Sequence, residues 1–226
     1  MLSEAASYLI VNFHGLGKRP SWVAAEEAFN WCDDPGEYCN YLDAIAELSA
    51  KIPVRITFDD GNASDFEIAT PALVERGLKA DFFVCAGRLG QAGYCDASAI
   101  RDMVGAGMTI GSHGWGHVDW RRASDSELQQ EIETAAATLE DALGTSVDSV
   151  AIPFGSYDAR VMRRLGRFRK VYTSDRGFAR HGKRILPRKS FNRNWTDTTI
   201  AQTVSAPPSA LARVKHELVM IYKRSR

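Results

Sequence analysis

The stretch "ITFDDGN", from Ile56 to Asn62, ends an apolar run in two adjacent carboxylates, Asp59 and Asp60. Like charges side by side repel, and burial raises the cost of each. A solvated Asp-Gly turn is one way to meet that cost; a bound cation is another. Further along, "GSHGWGHVDW" holds His113 and His117, with Gly111, Gly114 and Gly116 around them. The glycines favour a loop in which the two imidazoles can converge. Two neutral imidazoles and a carboxylate, with coordination positions left for water, make a hydrolytic metal site. Either fragment alone is a weak signal. Each stands just after a run that reads as a strand, and that joint placement favours a site.

The elements that would position these residues alternate regularly. Apolar runs at 8–13, 54–58, 81–85, 108–111, 149–152, 171–173 and 185–186 read as strands, with helical patterns between several of them. Ser64 and Glu67 have capping-box spacing and open a helix that stops near Gly77; Ser124 and Glu127 repeat the device before a helix that stops at Gly144. A last helix after Pro207-Pro208 places Leu211, Val214, Leu218 and Ile221 along one stripe. Strand–helix alternation predicts a mostly parallel sheet with helices outside, and seven strands are enough to curl into a barrel. Function in such folds sits at the C-terminal strand ends. His14, Asp59-Asp60, His113 and His117, Pro153-Phe154-Gly155, Asp175 and Arg188 all follow predicted strands, so a barrel would gather them at one rim.

"TFDDG", then "SHGWGH", then "IPFGSYD" resemble the polysaccharide deacetylase (NodB-homology) carbohydrate esterase family, from about Tyr8 to about Arg188. The resemblance implies a distorted (β/α)7 barrel, here as one catalytic domain over residues 1–226. It implies hydrolytic removal of N-acetyl groups from N-acetylhexosamine residues of a glycan or glycoconjugate. By the same resemblance Asp59 is the general base, and Asp60, His113 and His117 hold one divalent ion. Zinc is foremost, and Co²⁺, Mn²⁺ or Ni²⁺ also suit a His₂Asp set. Zinc can polarise an amide carbonyl and lower the pKa of bound water to about 7. The backbone N–H of Phe154 is implied as a second oxyanion donor, because Pro153 has none to give.

Three positions depart from the family pattern. Gly114 stands where Ser or Thr usually follows the first histidine, removing a hydroxyl that could buttress the loop. Ala151 replaces an arginine that orients the catalytic Asp, and "RILPRKS" replaces the late Leu-x-His that supplies the general acid. Exopolysaccharide-type members have a permuted motif order with an early acid histidine. "IVNFHGLG" resembles that arrangement, which would make His14 the acid and let Arg188 replace the missing arginine. Otherwise His14 is a strand-end histidine bonded to backbone and Arg188 a surface ion pair. Trp115, Trp120 and Trp195 are candidate sugar-stacking residues, Trp115 foremost; Tyr157 is a candidate for the groove wall or for helix N-terminal packing. Asp175 reads as a turn carboxylate or as a group orienting Arg188 or His14.

Composition narrows the classes. The chain has 226 residues, 45% hydrophobic, 25% charged and formally neutral, which argues against bulk nucleic-acid binding. No apolar run is long enough to span a membrane, and the first residues lack the charged and apolar regions of a signal peptide, so a cytoplasmic location is expected. Cys32, Cys39, Cys85 and Cys95 form no Cys-x-x-Cys pair and read as free thiols, with a Cys32–Cys39 disulfide open. The expected partner is an N-acetylated oligosaccharide, polysaccharide or glycoconjugate. The competing readings are a hydrolase of another amide or acyl ester, and a non-catalytic carbohydrate-binding member. A two-carboxylate glycosidase is disfavoured, because it needs its carboxylates several ångströms apart across the sugar.

Overall fold

The computed structural model describes residues 7–21, 23, 25–49, 53–196 and 210–225. Strands β1 (Ser7–Phe13), β2 (Val54–Asp60), β3 (Ala80–Val84), β4 (Thr109–Ser112), β5 (Ser149–Ala151) and β6 (Lys170–Thr173) lie side by side in that order, all parallel. A short β7 (Ala179–Arg180) pairs antiparallel with the start of β1. Residues 185–190 then close the ring. Their first half, β8 (Ile185–Pro187), pairs parallel with β6, and their second half, β9 (Lys189–Ser190), pairs parallel with β1. Only Arg188 separates the two halves. The result is a distorted (β/α)7 barrel, with all seven runs expected from sequence present as strands; β7 and β9 were not expected.

The helices are α1 (Ala25–Ala28), α2 (Pro35–Ser49), α3 (Thr70–Glu75), α4 (Ala97–Gly105), α5 (Asp125–Gln129), α6 (Ala135–Leu143), α7 (Ala159–Arg164) and α8 (Ala210–Ser225). One π-helical turn, Asp65–Ala69, leads into α3, and another, Gln130–Thr134, joins α5 to α6. Strands buried on both faces read as continuous apolar runs, because one face meets helices and the other the barrel interior. Outside, Phe13, Phe58 and Phe82 form a stacked row with centroids 5.5 and 4.7 Å apart, and Tyr38 of α2 meets Phe13 edge-on. Inside, Ile10, Phe83, Tyr172 and Leu186 make a smaller apolar plug. Polar residues sit above that plug, towards the C-terminal strand ends.

The capping box at Ser124 and Glu127 is formed in both directions, and Gly144 ends α6 in the left-handed region at φ 69°. The expected box at Ser64 is not formed. Ser64 already has helical φ and ψ, and its hydroxyl instead accepts the Leu16 N–H at 3.1 Å. Tertiary demand for a partner at Leu16 has taken the side chain that local spacing offered to the cap. The last helix also differs from expectation: Val214, Leu218 and Ile221 face solvent, and Met220 is buried. The side chain of Leu211, the fourth member of that stripe, is not among those described. All four cysteines are free, and no helix among the described residues is long and apolar enough to cross a membrane.

Candidate active site

Asp59, the last residue but one of β2, turns its side chain into the barrel. Arg188 reaches it from the β8–β9 junction, with both terminal guanidinium nitrogens donating to the carboxylate at 2.7 and 2.8 Å. Asn12 of β1 donates to the same carboxylate at 3.0 Å, and its carbonyl oxygen accepts from Thr57 at 2.7 Å and from Arg188 at 2.8 Å. Arg188 is only 1% exposed and lies over the rings of Phe83 and Tyr172. Burial alone would push the Asp59 carboxyl up. The Arg188 guanidinium, joined by the charges of His113 and His14, outweighs it and holds Asp59 well below the usual carboxylate range. Arg188 is therefore a buried partner of Asp59 and not a surface ion pair. It meets the deficit left by Ala151 from a different strand.

Asp60 is paired to Val84 in register, yet its φ is +84°. A non-glycine residue there is strained, and such strain concentrates at functional sites. Its Oδ1 lies 3.7 Å from His113 Nε2 and 3.4 Å from His117 Nε2. His113 Nδ1 sits 2.9 Å from the Ala151 carbonyl, which can only accept, so Nδ1 carries the hydrogen and Nε2 keeps its lone pair. Burial drives the His113 imidazole down to about 4, against the pull of the nearby carboxylates. For His117, burial acts downward, but Glu27 of α1, 3.5 Å from Nδ1, and Asp60 raise its pKa on balance.

Ligand atoms of Asp60, His113 and His117 all fall within 4.8 Å of one another. Asp60 Oδ1 is buried with no hydrogen-bond partner among the described residues. Lone-pair atoms converging on one buried point repel unless a cation sits between them, so this donor set fits a divalent ion. An all-nitrogen-and-oxygen set of two imidazoles and one carboxylate accepts zinc and several other first-row metals.

Two residues that sequence reasoning missed hold this loop. Glu131, in the π turn between α5 and α6, is buried; its carboxylate accepts the N–H groups of Trp115 at 3.0 Å and Gly116 at 2.8 Å and the Trp120 indole N–H at 3.1 Å. Gly114 has φ +85°, and a Cβ there would lie 2.4 Å from Glu131 Oε2. A serine or threonine would be excluded twice, and the carboxylate does the buttressing that a hydroxyl was expected to do. Glu27 is the second missed residue, turned towards His117 from the other side of the site. Nothing local in the sequence marks either residue, because the burial of Glu131 and its π turn exist only in the fold.

The other expected residues divide. His14 follows β1, is partly buried, and its Nδ1 has no hydrogen-bond partner among the described residues. When charged, its imidazole helps to hold both Asp59 and Asp60 down. Phe154 has φ +57° and is 61% exposed, with its ring 4.4 Å from that of His117. Trp115 is half-buried beside the Gly87 backbone. Tyr157 is fully buried, so it lines no groove; its hydroxyl donates to Asp175 at 2.5 Å, and Lys223 of α8 meets the same carboxylate. Asp175 thus ties the segment just before α7 to α8, behind the Phe154 turn. Trp120 and Trp195 are core residues, 0% and 5% exposed.

This geometry can be set beside known proteins. The family model for polysaccharide deacetylase matches residues 48–169. Bacillus subtilis YxkH is 24% identical over 110 residues, covering 49% of this chain and 39% of that protein. The Listeria monocytogenes peptidoglycan-N-acetylglucosamine deacetylase PgdA is 26% identical over 117 residues, covering 50% of this chain and 24% of that protein. The chain thus spans well under half the length of both. Among solved structures, the Streptococcus pyogenes deacetylase PplD, in complex with acetate, superposes with a TM-score of 0.75 at 21% identity, over 88% of this chain and 99% of that one. IcaB from Ammonifex degensii does so with 0.71 at 18% identity, over 90% and 99%. Those identities speak for the fold alone. The family model spans more than half of the sequence, including Asp59, Asp60, His113 and His117, and the chain belongs to the polysaccharide deacetylase family.

Proposed function

We propose that this chain is a metal-dependent N-deacetylase of N-acetylhexosamine residues in a glycan or glycoconjugate. The observation that carries the reading is the juxtaposition of two unlike carboxylates. Asp59 is held ionised by Arg188, while Asp60 Oδ1 is left open between two imidazoles. Asp60, His113 and His117 would hold the ion. When bound, it supplies Lewis-acid polarisation of the acyl carbonyl and acidifies water.

Asp59 takes the proton of the attacking water. Its Oδ2 faces the site, 3.8 Å from His113 Nε2, while Arg188 and Asn12 fix its plane. The same guanidinium makes Asp59 a weak base, so proton transfer to it relies on a water already acidified. The Phe154 N–H is the donor for the oxyanion, since Pro153 offers none. Expulsion of the amine needs a proton, because an amide anion is a very poor leaving group. His14, at the end of β1 with its Nδ1 unpartnered among the described residues, is the group assigned to deliver it. The reading as a non-catalytic binding member draws on Ala151 and on the missing late histidine; Arg188 at Asp59 answers the first, and the His14 variant tests the second.

Acetate release from N-acetylated oligosaccharides, with chelator and with zinc restored, tests the proposal. Activity should vanish with chelator and return with metal. Asp59→Asn should keep the ion and lose activity by about 10²–10⁴-fold, the range for lost acid–base catalysis. Asp60→Asn should lose the ion itself. His14→Ala should fall in the same range as Asp59→Asn with the ion retained. Release from O-acetyl but not N-acetyl sugars would overturn the assignment in favour of an esterase.

A further inference from the structure

The end of the barrel opposite the active site has a cavity of about 630 Å³. It opens among the N-terminal ends of the strands. Tyr8, Arg55, Thr109, Ser149 and Lys170, from β1, β2, β4, β5 and β6, all line it. The turn from β7 to β8 completes the wall with His181, Lys183 and Arg184. Buried Ile110 and Leu186 give it an apolar floor, and the His181 ring rests 4.8 Å from that of Tyr8.

Its charge is out of proportion to the chain. The protein is formally neutral, yet five Lys and Arg residues line this cavity against one carboxylate, Asp148. Asp148 is taken by Arg169 at 3.7 Å, and Arg55 has Asp81 at 4.0 Å. Arg184 donates to the backbone carbonyls of Phe168 and Leu165, which carry no charge. Lys170 and Lys183 form no ion pair among the described residues. Three cations are therefore uncompensated around one concavity. An adjoining cavity of about 210 Å³ shares Lys183 and Arg184 and adds Arg224, together with Arg180 paired to Glu217 at 3.4 Å. Like charges gathered around one concavity repel, and an anion bound between them would turn that repulsion into attraction.

The cavity is larger than a single small anion needs, and it has hydroxyls at Thr109, Ser146 and Ser149 beside its apolar floor. Cations, hydroxyls and an apolar base together suit an organic molecule bearing phosphate groups. We infer that the N-terminal mouth of the barrel is a second binding site, for a phosphate-bearing small molecule. Lys170, Lys183 and Arg184 meet the phosphates there, and Ile110, Leu186 and the Tyr8–His181 pair meet the organic part. The site is independent of the deacetylase chemistry, which uses the other end of the strands.

Isothermal titration at physiological salt, with pyrophosphate and with uridine diphosphate as probes, tests it. Expected is one saturable site with a Kd below about 1 mM. Uridine diphosphate should bind more tightly than pyrophosphate. Lys170→Glu/Lys183→Glu should weaken both probes at least tenfold, while Asp60→Asn should leave them unchanged. Lys183→Ala alone, on an exposed turn, should weaken them severalfold and keeps the test open if the double variant fails to fold. Absence of saturable binding overturns the inference. So does equal binding by the lysine variants. Loss of binding in Asp60→Asn would place the anion at the metal centre instead.

Discussion

At the C-terminal mouth of the barrel Asp59, Asp60, His113 and Arg188 are almost inaccessible to water; at the N-terminal mouth Arg169, His181 and Lys183 are exposed. The same strands carry both sets. Above the Phe83–Tyr172 layer a charge without water is stabilised by protein partners in fixed geometry, which is why Arg188, Asn12 and Thr57 form a hydrogen-bonded network on Asp59. Below it, water screens each charge, and position is set loosely. Charges at the buried end should therefore be individually expensive to disturb. Those at the open end should matter only collectively and towards a ligand.

The largest effect should come from Arg188→Met. It leaves Asp59 ionised and buried without its guanidinium, a loss of about 3–5 kcal/mol for one broken member of a buried pair. Urea unfolding measures it, and Arg188→Met/Asp59→Leu should recover much of the loss if the stranded charge is its cause. A single variant as stable as the wild type would mean that water reaches Asp59 and that the contrast between the two mouths is wrong.

Glu131→Gln comes next. The amide keeps one good acceptor and turns an NH₂ group towards N–H donors, loosening the loop that carries His113 and His117. Loss of an outer hydrogen-bond partner of this kind lowers metal affinity by about 10–100-fold. Competition with a chromophoric chelator reads this directly. The Co²⁺ absorption spectrum should shift as well, which a loss of stability alone would not produce. Unchanged affinity would limit Glu131 to a packing role.

Asp65 sharpens the comparison from within the buried end, since it has no cation. Its oxygens make no well-formed hydrogen bond among the described residues; burial first, then the charges of Asp60 and Asp59, push its carboxyl well above the usual range. A folded-state pKa above the unfolded value of about 3.9 means that the folded state holds the proton longer. The proton-linked stability is fully present below that value and is lost as pH rises towards the folded pKa. Asp65→Asn removes the dependence. Its melting temperature relative to wild type should improve by a few degrees between pH 5 and pH 8; parallel curves would contradict the raised pKa.

The smallest effect belongs to the open end. Lys170→Ala/Lys183→Ala should change unfolding free energy by less than about 0.5 kcal/mol and leave acetate release unaltered. A large destabilisation would show that these lysines are structural and would weaken the case for a ligand there.

Much was determined by the sequence alone. Seven apolar runs of strand length, punctuated by Ser124–Glu127 and Gly144, were enough for a parallel barrel, because periodicity, caps and turns act over a few residues. The same locality made Asp59-Asp60 and the His113–His117 pair visible, with strand ends assigning them to one rim. Tertiary structure decided what each side chain meets. Arg188 finds Asp59 across 129 positions because residues 185–190 are the segment that closes the ring between β6 and β1. Glu131 displaced the expected hydroxyl at the loop, Leu16 drew Ser64 away from its cap, and Asp175 and Lys223 drew Tyr157 inward. In each case a buried polar group had to be satisfied, and its partner came from whichever element the closed barrel brought near, a relation no local window of sequence contains.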